Sequence, residues 1–436
     1  MDIDDEAHPK IRNATSKWKC GYNPGMDRRT FLKTSGAAGA QIAVAQTRGA
    51  TDLIRVAVIG PGGRGTQLMK EAIEYGGPYN ARVTAVCDIW NLRREAAAKL
   101  ARESYRVEPK VFHRFEDVLA DRDVDAVIIG TPDHQHAKML QAAVEAGKDV
   151  YCEKPMGNVL AETNAALEAV QKSGRIVQIG TQRRSYPRYR AALDIMKEGR
   201  IGDVVKVDVI WNAYSPYRWA RKPEDLSALK ETDVDWKAFL MGKPDRPFDP
   251  RIYRSFRLFR EFSSGIIDQW MTHGIDVVHM LTGEPYPVSV VAHGGIYQWQ
   301  DYRENPDTFE AVLQYGRGRK SFLVTCASCL VNGFGRATRL LGTLGTLEVE
   351  DVWRISGDGS GRPDALKKSQ EIPEKPGTLH HMANWLDCVR RRDPSRLYCP
   401  AEAGYGHSIA CIMAADALWS GRRKIFDPVK KEIREG

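Results

Sequence analysis

The most constraining feature of this 436-residue chain is a short β-branched run, Ile54 to Ile59, that enters Gly60-Pro61-Gly62-Gly63-Arg64-Gly65 and continues into the helical stretch TQLMKEAIEYG. In G-x-G-x-x-G between a strand and a helix, the first glycine makes a tight turn, the second lets backbone approach a pyrophosphate, and the third lets helix pack closely on strand. The helix N-terminus then offers free N–H groups and a positive dipole end to an anion. A second strand, Arg82 to Cys87, ends at Asp88, where an acid binds the adenosine ribose hydroxyls. A carboxylate there repels a 2′-phosphate and favours NAD, while Arg93 and Arg94 keep NADP open.

The pattern repeats. Val124 to Gly130 is another apolar run, followed by Thr131-Pro132-Asp133-His134-Gln135-His136, and Lys148 to Cys152 delivers Glu153-Lys154-Pro155. Both loops leave the carboxyl edge of a parallel sheet, the edge where ligands bind in doubly wound folds. His134 and His136 have no further ligand nearby, so no metal is assigned. From Val204 onward the periodicity changes. Val204 to Trp211, Val288 to Gly294, Thr308 to Tyr315, Ser321 to Cys326, Arg339 to Leu341 and Leu347 to Val349 read as strands, several with alternating polarity. Cys326 and Cys329 lie on opposite faces of one strand and read as separate thiols. The fold expected is α/β: an N-terminal Rossmann doubly wound parallel sheet over residues 51–180, then an α+β domain over 181–436 with an open, mainly antiparallel sheet. Its C-terminal helix is expected to pack back on the first domain.

Residues 1–50 stand apart. Arg28-Arg29, Phe31-Leu32-Lys33, an Ala/Gly-rich run and Ala43-Val44-Ala45 form the three parts of a twin-arginine export signal, with Met26 as an alternative start. This predicts a periplasmic or extracytoplasmic protein. No apolar run is long enough for a membrane span. The net charge of +8, from 64 basic and 56 acidic residues scattered along the chain, argues against nucleic acid as a partner.

Taken in order, Gly60-x-Gly62-x-x-Gly65, Asp88, Thr131-Pro132-Asp133-x-x-His136, Glu153-Lys154-Pro155, Gln178-Ile179-Gly180-Thr181-Gln182-Arg183 and Trp270-x-x-His273-x-x-Asp276 resemble the Gfo/Idh/MocA family, named for glucose-fructose oxidoreductase and inositol dehydrogenase. The resemblance runs from about Ile54 to Pro428. It implies cofactor contacts from Gly60, Gly62, Gly63, Arg64, Gly65, Asp88, Thr131, Pro132, His136, Glu153 and Lys154. It also implies that Lys154 lies beside the nicotinamide and that His273 contacts the reacting hydroxyl of a sugar or cyclitol. The family commonly has Asp four residues before this His, and here that position is Gln269. On an α-helix Gln269 lies about 40° from His273 and Asp268 about 140° away. Gln269 is therefore expected on the histidine's face, and Lys154 carries more of the proton transfer. Gln182, Arg183, Tyr214 and Trp219 are candidate substrate contacts, with Tyr217 and Arg218 in the same aromatic stretch, while His380 reads as an exposed loop histidine.

The reading is an NAD(P)-dependent oxidoreductase moving a hydride between a hydroxyl-bearing carbon and a tightly held cofactor. Export removes the protein from any free NAD(H) pool and favours a redox-neutral cycle. The alternatives are an NAD-dependent glycosidase working by transient oxidation and elimination, and a non-catalytic NAD-binding sensor. The exposed sheet face and the relatives imply a homo-oligomer.

Overall fold

A computed structural model describes residues 53–436, and Arg55–Gly436 forms one compact unit. The twin-arginine segment lies outside the described residues. Among those described, no helix is long and apolar enough to cross a membrane.

The first half is a six-stranded parallel sheet in the order β3-β2-β1-β4-β5-β6. Its strands are β1 (Ile54–Ile59), β2 (Ala81–Cys87), β3 (Lys110–Phe112), β4 (Ala126–Ile129), β5 (Asp149–Cys152) and β6 (Val177–Ile179). Strands β4 and β5 are buried at every position, as required of strands covered on both faces. The connecting helices are α1 (Gly63–Gly76), α2 (Asn91–Tyr105), α3 (Phe115–Ala120), α4 (His136–Glu145) and α5 (Leu160–Ser173). The strand order reverses between β1 and β4, which places the topological switch point beside the glycine loop.

A turn at Gln182–Ser185 and helix α6 (Pro187–Lys197) lead to β7 (Val204–Asn212). The stretch that follows holds three short helices, α7 (Pro223–Ser227), α8 (Trp236–Leu240) and α9 (Pro250–Arg254), before α10 (Thr272–Thr282). Strands β8 (Ser289–Gly295), β9 (Thr308–Tyr315), β10 (Phe322–Cys329), β11 (Arg336–Gly342), β12 (Gly345–Glu350), β13 (Arg354–Gly357) and β14 (Gln370–Glu371) come next. Helices α11 (His381–Arg391) and α12 (Ala401–Ser420) then precede β15 (Lys424–Asp427) and β16 (Glu432–Glu435).

These ten strands make one sheet, β14-β13-β12-β11-β7-β10-β9-β8-β15-β16. Among the described strands β7 and β10 run parallel, and the other neighbours in this sheet pair antiparallel. Val207 and Val209 of β7 and Val324 and Cys326 of β10 turn inward toward α10, whereas Leu323 and Val291 are exposed on the opposite face. The strand expected over Ser321 to Cys326 runs on to Cys329, and the one expected over Arg339 to Leu341 begins at Arg336. Sequence patterning does not reveal β3, β6 and β13 to β16, all two to four residues long and too short to show a period.

A buried ion triad ties the halves together. Arg184 Nε donates to both Asp276 oxygens at 2.9 and 2.8 Å, and His407 Nδ1 meets Asp276 Oδ1 at 3.3 Å. These residues belong to the turn after β6, to α10 and to α12. Arg184 holds the Asp276 carboxyl well below the usual range despite full burial, so the charge stays paired inside the protein. Helix α12 also packs on α5 and β6, and α11 packs on α1.

Candidate active site

The glycine loop has the shape an anionic cofactor needs. Gly60 has φ +76°, and a Cβ there would meet Thr131 Cγ2 at 2.6 Å. A Cβ on Gly65 would lie 2.0 Å from the Gly60 carbonyl oxygen, so helix α1 starts against strand β1 only if this residue is glycine. Gly62 differs: a Cβ there meets nothing within 4 Å. Open space above Gly62, at a helix N-terminus without acidic residues in its first turn, fits a pyrophosphate. Exposed Gly63 and half-buried Pro132 border the same loop edge.

Arg64 reaches across from this loop. Its Nε donates to Glu153 Oε1 at 2.8 Å, and its Nη1 reaches Glu71 at 3.2 Å. Glu153 Oε2 accepts the Lys154 N–H at 3.1 Å. The glycine loop and the Glu-Lys-Pro turn are thus one ion-paired unit. At the end of β2, Asp88 accepts the Trp90 N–H at 2.8 Å, and burial lifts its carboxyl to about 6.

That burial comes from the second domain. The stretch after β7 returns over the parallel sheet, where Asp235 N–H bonds the Ile89 carbonyl at 3.1 Å and Val234 bridges to Trp90. Trp90, Leu229 and Val234 form one apolar cluster. Trp236, Phe239, Leu240, Ile252, Phe256 and Phe262 form another. The same stretch grips the loop after β4: His134 Nε2 and Gln135 Nε2 both meet the Phe239 carbonyl at 2.8 Å, and Lys138 Nζ donates to Met241 O at 3.1 Å. The segment between β7 and α10 is thus largely a strap across Ile89, Trp90 and the loop after β4, on the side of the glycine loop that ends in Asp88.

Lys154 Nζ donates to the Gln269 carbonyl at 3.0 Å and to Gln269 Oε1 at 3.1 Å. Gln269 Nε2 in turn donates to Asp133 Oδ2 at 2.6 Å, beside a 2.6 Å bond from Ser263 Oγ. Lys154 and Gln269 are brought together as expected of neighbours in one site, but the local helix differs from the expectation. Ile267–Met271 is a π turn, with the Thr272 N–H bonded back to the Ile267 carbonyl. Counted through a π turn, Gln269 keeps to the His273 side, while Asp268 comes nearer to it than a uniform α pitch allows. Gln269 is engaged with Lys154 and Asp133, and Asp268, expected to face away, is buried beside Lys154. Burial, and then the Asp133 carboxylate, lift Asp268 to about 7, against the opposing pull of Lys154 and a hydrogen bond from Asn158. Asp268 and Asn158 lie outside the motifs, and Asp133, though within Thr131-Pro132-Asp133, is not singled out there as a site residue.

His273 has a buried Nδ1 with no hydrogen-bond partner. Burial, then the positive charges of Lys154 and Arg183, push its pKa well below the ordinary value, so the ring is neutral at physiological pH. Its ring lies 5.9 Å from that of Trp211, which stacks on Trp270 at 5.5 Å, and Trp219 stands 6.4 Å from Trp270. Arg183 lies over Trp211 at 4.4 Å and pairs with Glu350, a partner set that makes it a support for the indole. Half-buried Gln182 opens the turn that carries Arg183. Exposed Tyr214 packs on Trp299, away from His273.

Two histidines stand differently from the expectation. His136 meets Pro155 O at 2.7 Å and Thr131 O at 2.8 Å, so both ring nitrogens face main-chain carbonyls and the ring braces the two loops instead of offering a donor to the cofactor. His380 is no exposed loop residue: it caps α11 through a 3.3 Å bond from Met382 N–H and stacks on Tyr75 at 4.3 Å. Among the described residues no cluster of ligands suits a metal.

Fold and site define a nucleotide-binding Rossmann domain whose carboxyl edge is closed by an open-sheet partner. Residues 54–181 match the family model "Oxidoreductase family, NAD-binding Rossmann fold" and residues 241–348 match the "GFO/IDH/MocA C-terminal domain". The chain belongs to the Gfo/Idh/MocA oxidoreductase family. It is 39% identical over 126 residues to inositol 2-dehydrogenase of Salmonella typhimurium, covering 29% of this chain and 36% of that one. It is 28% identical over 278 residues to a glycosyl hydrolase family 109 protein of Stenotrophomonas maltophilia, covering 59% and 55%. The chain thus spans about a third to about half of these relatives. The aldose-aldose oxidoreductase of Caulobacter crescentus superposes with a TM-score of 0.63 at 19% identity, over 86% of this chain and 100% of that one, and so shares the fold.

The glycine geometry makes a paired prediction. Gly62→Ala should leave the melting temperature within about 2 °C of the parent and weaken NAD binding by roughly tenfold or more, because its Cβ enters only the ligand's space. Gly65→Ala should lower the melting temperature by several degrees as well, since its Cβ meets main chain. Equal melting temperatures for the two variants would contradict the assignment.

Proposed function

We propose that this protein is an NAD(P)-dependent oxidoreductase that oxidises a hydroxyl-bearing carbon of a sugar or cyclitol and holds its cofactor through turnover. The carrying observation is Lys154 fixed by Gln269, one helical turn before a half-buried His273, with indoles alongside. NAD(P), when bound, accepts and returns the hydride. The Gly60 to Gly65 loop would hold its pyrophosphate and Asp88 its adenosine ribose.

The proton belongs to the protein. As a hydroxyl carbon loses hydride, its oxygen must shed a proton to a base within hydrogen-bond reach. Neutral His273, in the tautomer protonated at its buried Nδ1, accepts it at Nε2. The Lys154 ammonium polarises the same oxygen and, when deprotonated, is a second acceptor. Asp268 beside it, held near 7, can store a proton and return it when the carbonyl is reduced again. Burial of this group of side chains keeps water from competing with the substrate.

A redox-neutral cycle fits the strap, because a cofactor beneath Trp90, Val234 and Phe239 has to be regenerated in place. Similarity to a glycosyl hydrolase family 109 protein keeps one second reading in view: oxidation, elimination of an aglycone and restoration of the hydroxyl on the same side chains. Release of aglycone without net cofactor reduction would identify it. Arg28-Arg29 supports twin-arginine export of the folded protein, and Asp88 supports NAD as the preferred cofactor.

Lys154→Met keeps most of the stem and removes the ammonium. Turnover should fall by roughly two to four powers of ten while bound NAD stays close to the parent level. Parent-rate turnover would exclude Lys154 from the chemistry. The parent protein should purify with NAD(H), seen by mass spectrometry after denaturation, and Trp90→Ala should lose it on dialysis; equal retention would rule out the strap as its lock. Lysine at both Arg28 and Arg29 should hold the precursor in the cytoplasm, and unchanged export would remove the twin-arginine assignment.

A further inference from the structure

The aromatic surface does not stop at the ring expected to react. Tyr217 has φ +51° and Trp219 φ +67°, a left-handed backbone that bulky residues avoid. Two such residues flank Arg218, and their rings meet different partners. Trp219 faces Trp270 in the site, and Tyr217 lies 5.2 Å from Trp299 at the rim. Tyr214 joins Trp299 from the other side at 6.0 Å, and both tyrosines are more than half exposed, 66% and 55%.

The rim is held rigidly from below. Trp299 is buried, and its Nε1 donates to Leu330 O at 3.3 Å. Asp307 collects the N–H groups of Tyr297, Gln298 and Trp299 at 3.1, 2.8 and 2.9 Å. Buried Arg303, paired to Asp301, donates to the Arg218 carbonyl at 3.3 Å and so fixes the crest of the strained turn. A surface loop without a ligand has no use for two bulky residues in a disfavoured backbone under this much support. Strain of this kind gathers at ligand clamps, and rings with one apolar face and a hydroxyl tip suit a sugar, whose own ring has an apolar face edged by hydroxyls.

We propose that Tyr214 and Tyr217 over Trp299 form a second carbohydrate subsite, so that the substrate is a glycoside of at least two pyranose rings, one at Trp219 and His273 and the next at the rim. This rests on the carbohydrate reading above and adds the length of the substrate to it.

The test is calorimetric titration of the NAD-loaded protein with glucose, cellobiose, maltose and myo-inositol, repeated on Tyr214→Ser and on Tyr217→Gly, the latter chosen because glycine accepts φ +51°. At least one disaccharide should bind about tenfold more tightly than glucose, the scale of one added aromatic contact. Either variant should erase that gain while leaving glucose affinity, NAD content and melting temperature unchanged. Disaccharides binding no better than glucose, or variants that weaken glucose and disaccharide alike, would overturn the subsite while leaving the carbohydrate reading intact. If none of the four probes binds, the carbohydrate reading falls and the subsite with it.

Discussion

The site depends on one side-chain amide. Gln269 accepts from Lys154 through Oε1 and donates to Asp133 through Nε2. A side-chain amide carries an acceptor and a donor together without a charge. A carboxylate at residue 269 would satisfy Lys154 but face the Asp133 oxygen with a second negative charge. By joining the loops after β4 and β5 to the start of the helix that carries His273, Gln269 sets where the lysine and the histidine stand relative to one another. Where the resemblance leads one to expect a carboxylate at residue 269, this site has an amide there and a buried carboxylate on the preceding residue, Asp268, within the π turn.

Electrostatics follow from that placement. Asp268 is buried near Lys154 and Asp133, and burial, then the Asp133 carboxylate, make it harder to ionise. The lysine opposes this without cancelling it, which leaves Asp268 titrating near neutrality. His273 feels burial and two positive neighbours, so it is neutral where an exposed histidine would be partly charged. An acid poised near 7 next to a neutral imidazole is the pairing a reversible proton transfer needs.

The legible parts of the sequence are those with a period or a strict steric demand. The glycine loop, the buried strands β1, β2, β4 and β5, and the alternating strands β7, β9 and β10 declare themselves by burial on both faces or on one. Lys154 and His273 are legible through their motifs. The π turn is not: hydrophobic periodicity cannot tell a helix from the same helix with one residue inserted, so an angle assigned to Asp268 on a uniform pitch misses its place near Lys154. The strap is hidden for another reason. Its apolar residues, from Leu229 to Phe262, pack against Ile89 and Trp90 from a distant part of the chain, and no local pattern encodes a partner so remote. His136 is misplaced by its motif because the motif fixes a position in the chain but not the direction of the ring, which two carbonyl groups decide.

The chain between β7 and α10 unites the two halves of the proposed chemistry. Its first residues carry Tyr214, Tyr217 and Trp219, and its later ones form the strap that buries Asp88 and holds His134 and Gln135. It ends at Ser263, whose hydroxyl donates to the same Asp133 oxygen as Gln269. Movement of the strap away from the parallel sheet would pull on Asp133 and through it on Gln269 and Lys154. The strap and the catalytic side chains are therefore coupled through Asp133, the one carboxylate that both hold.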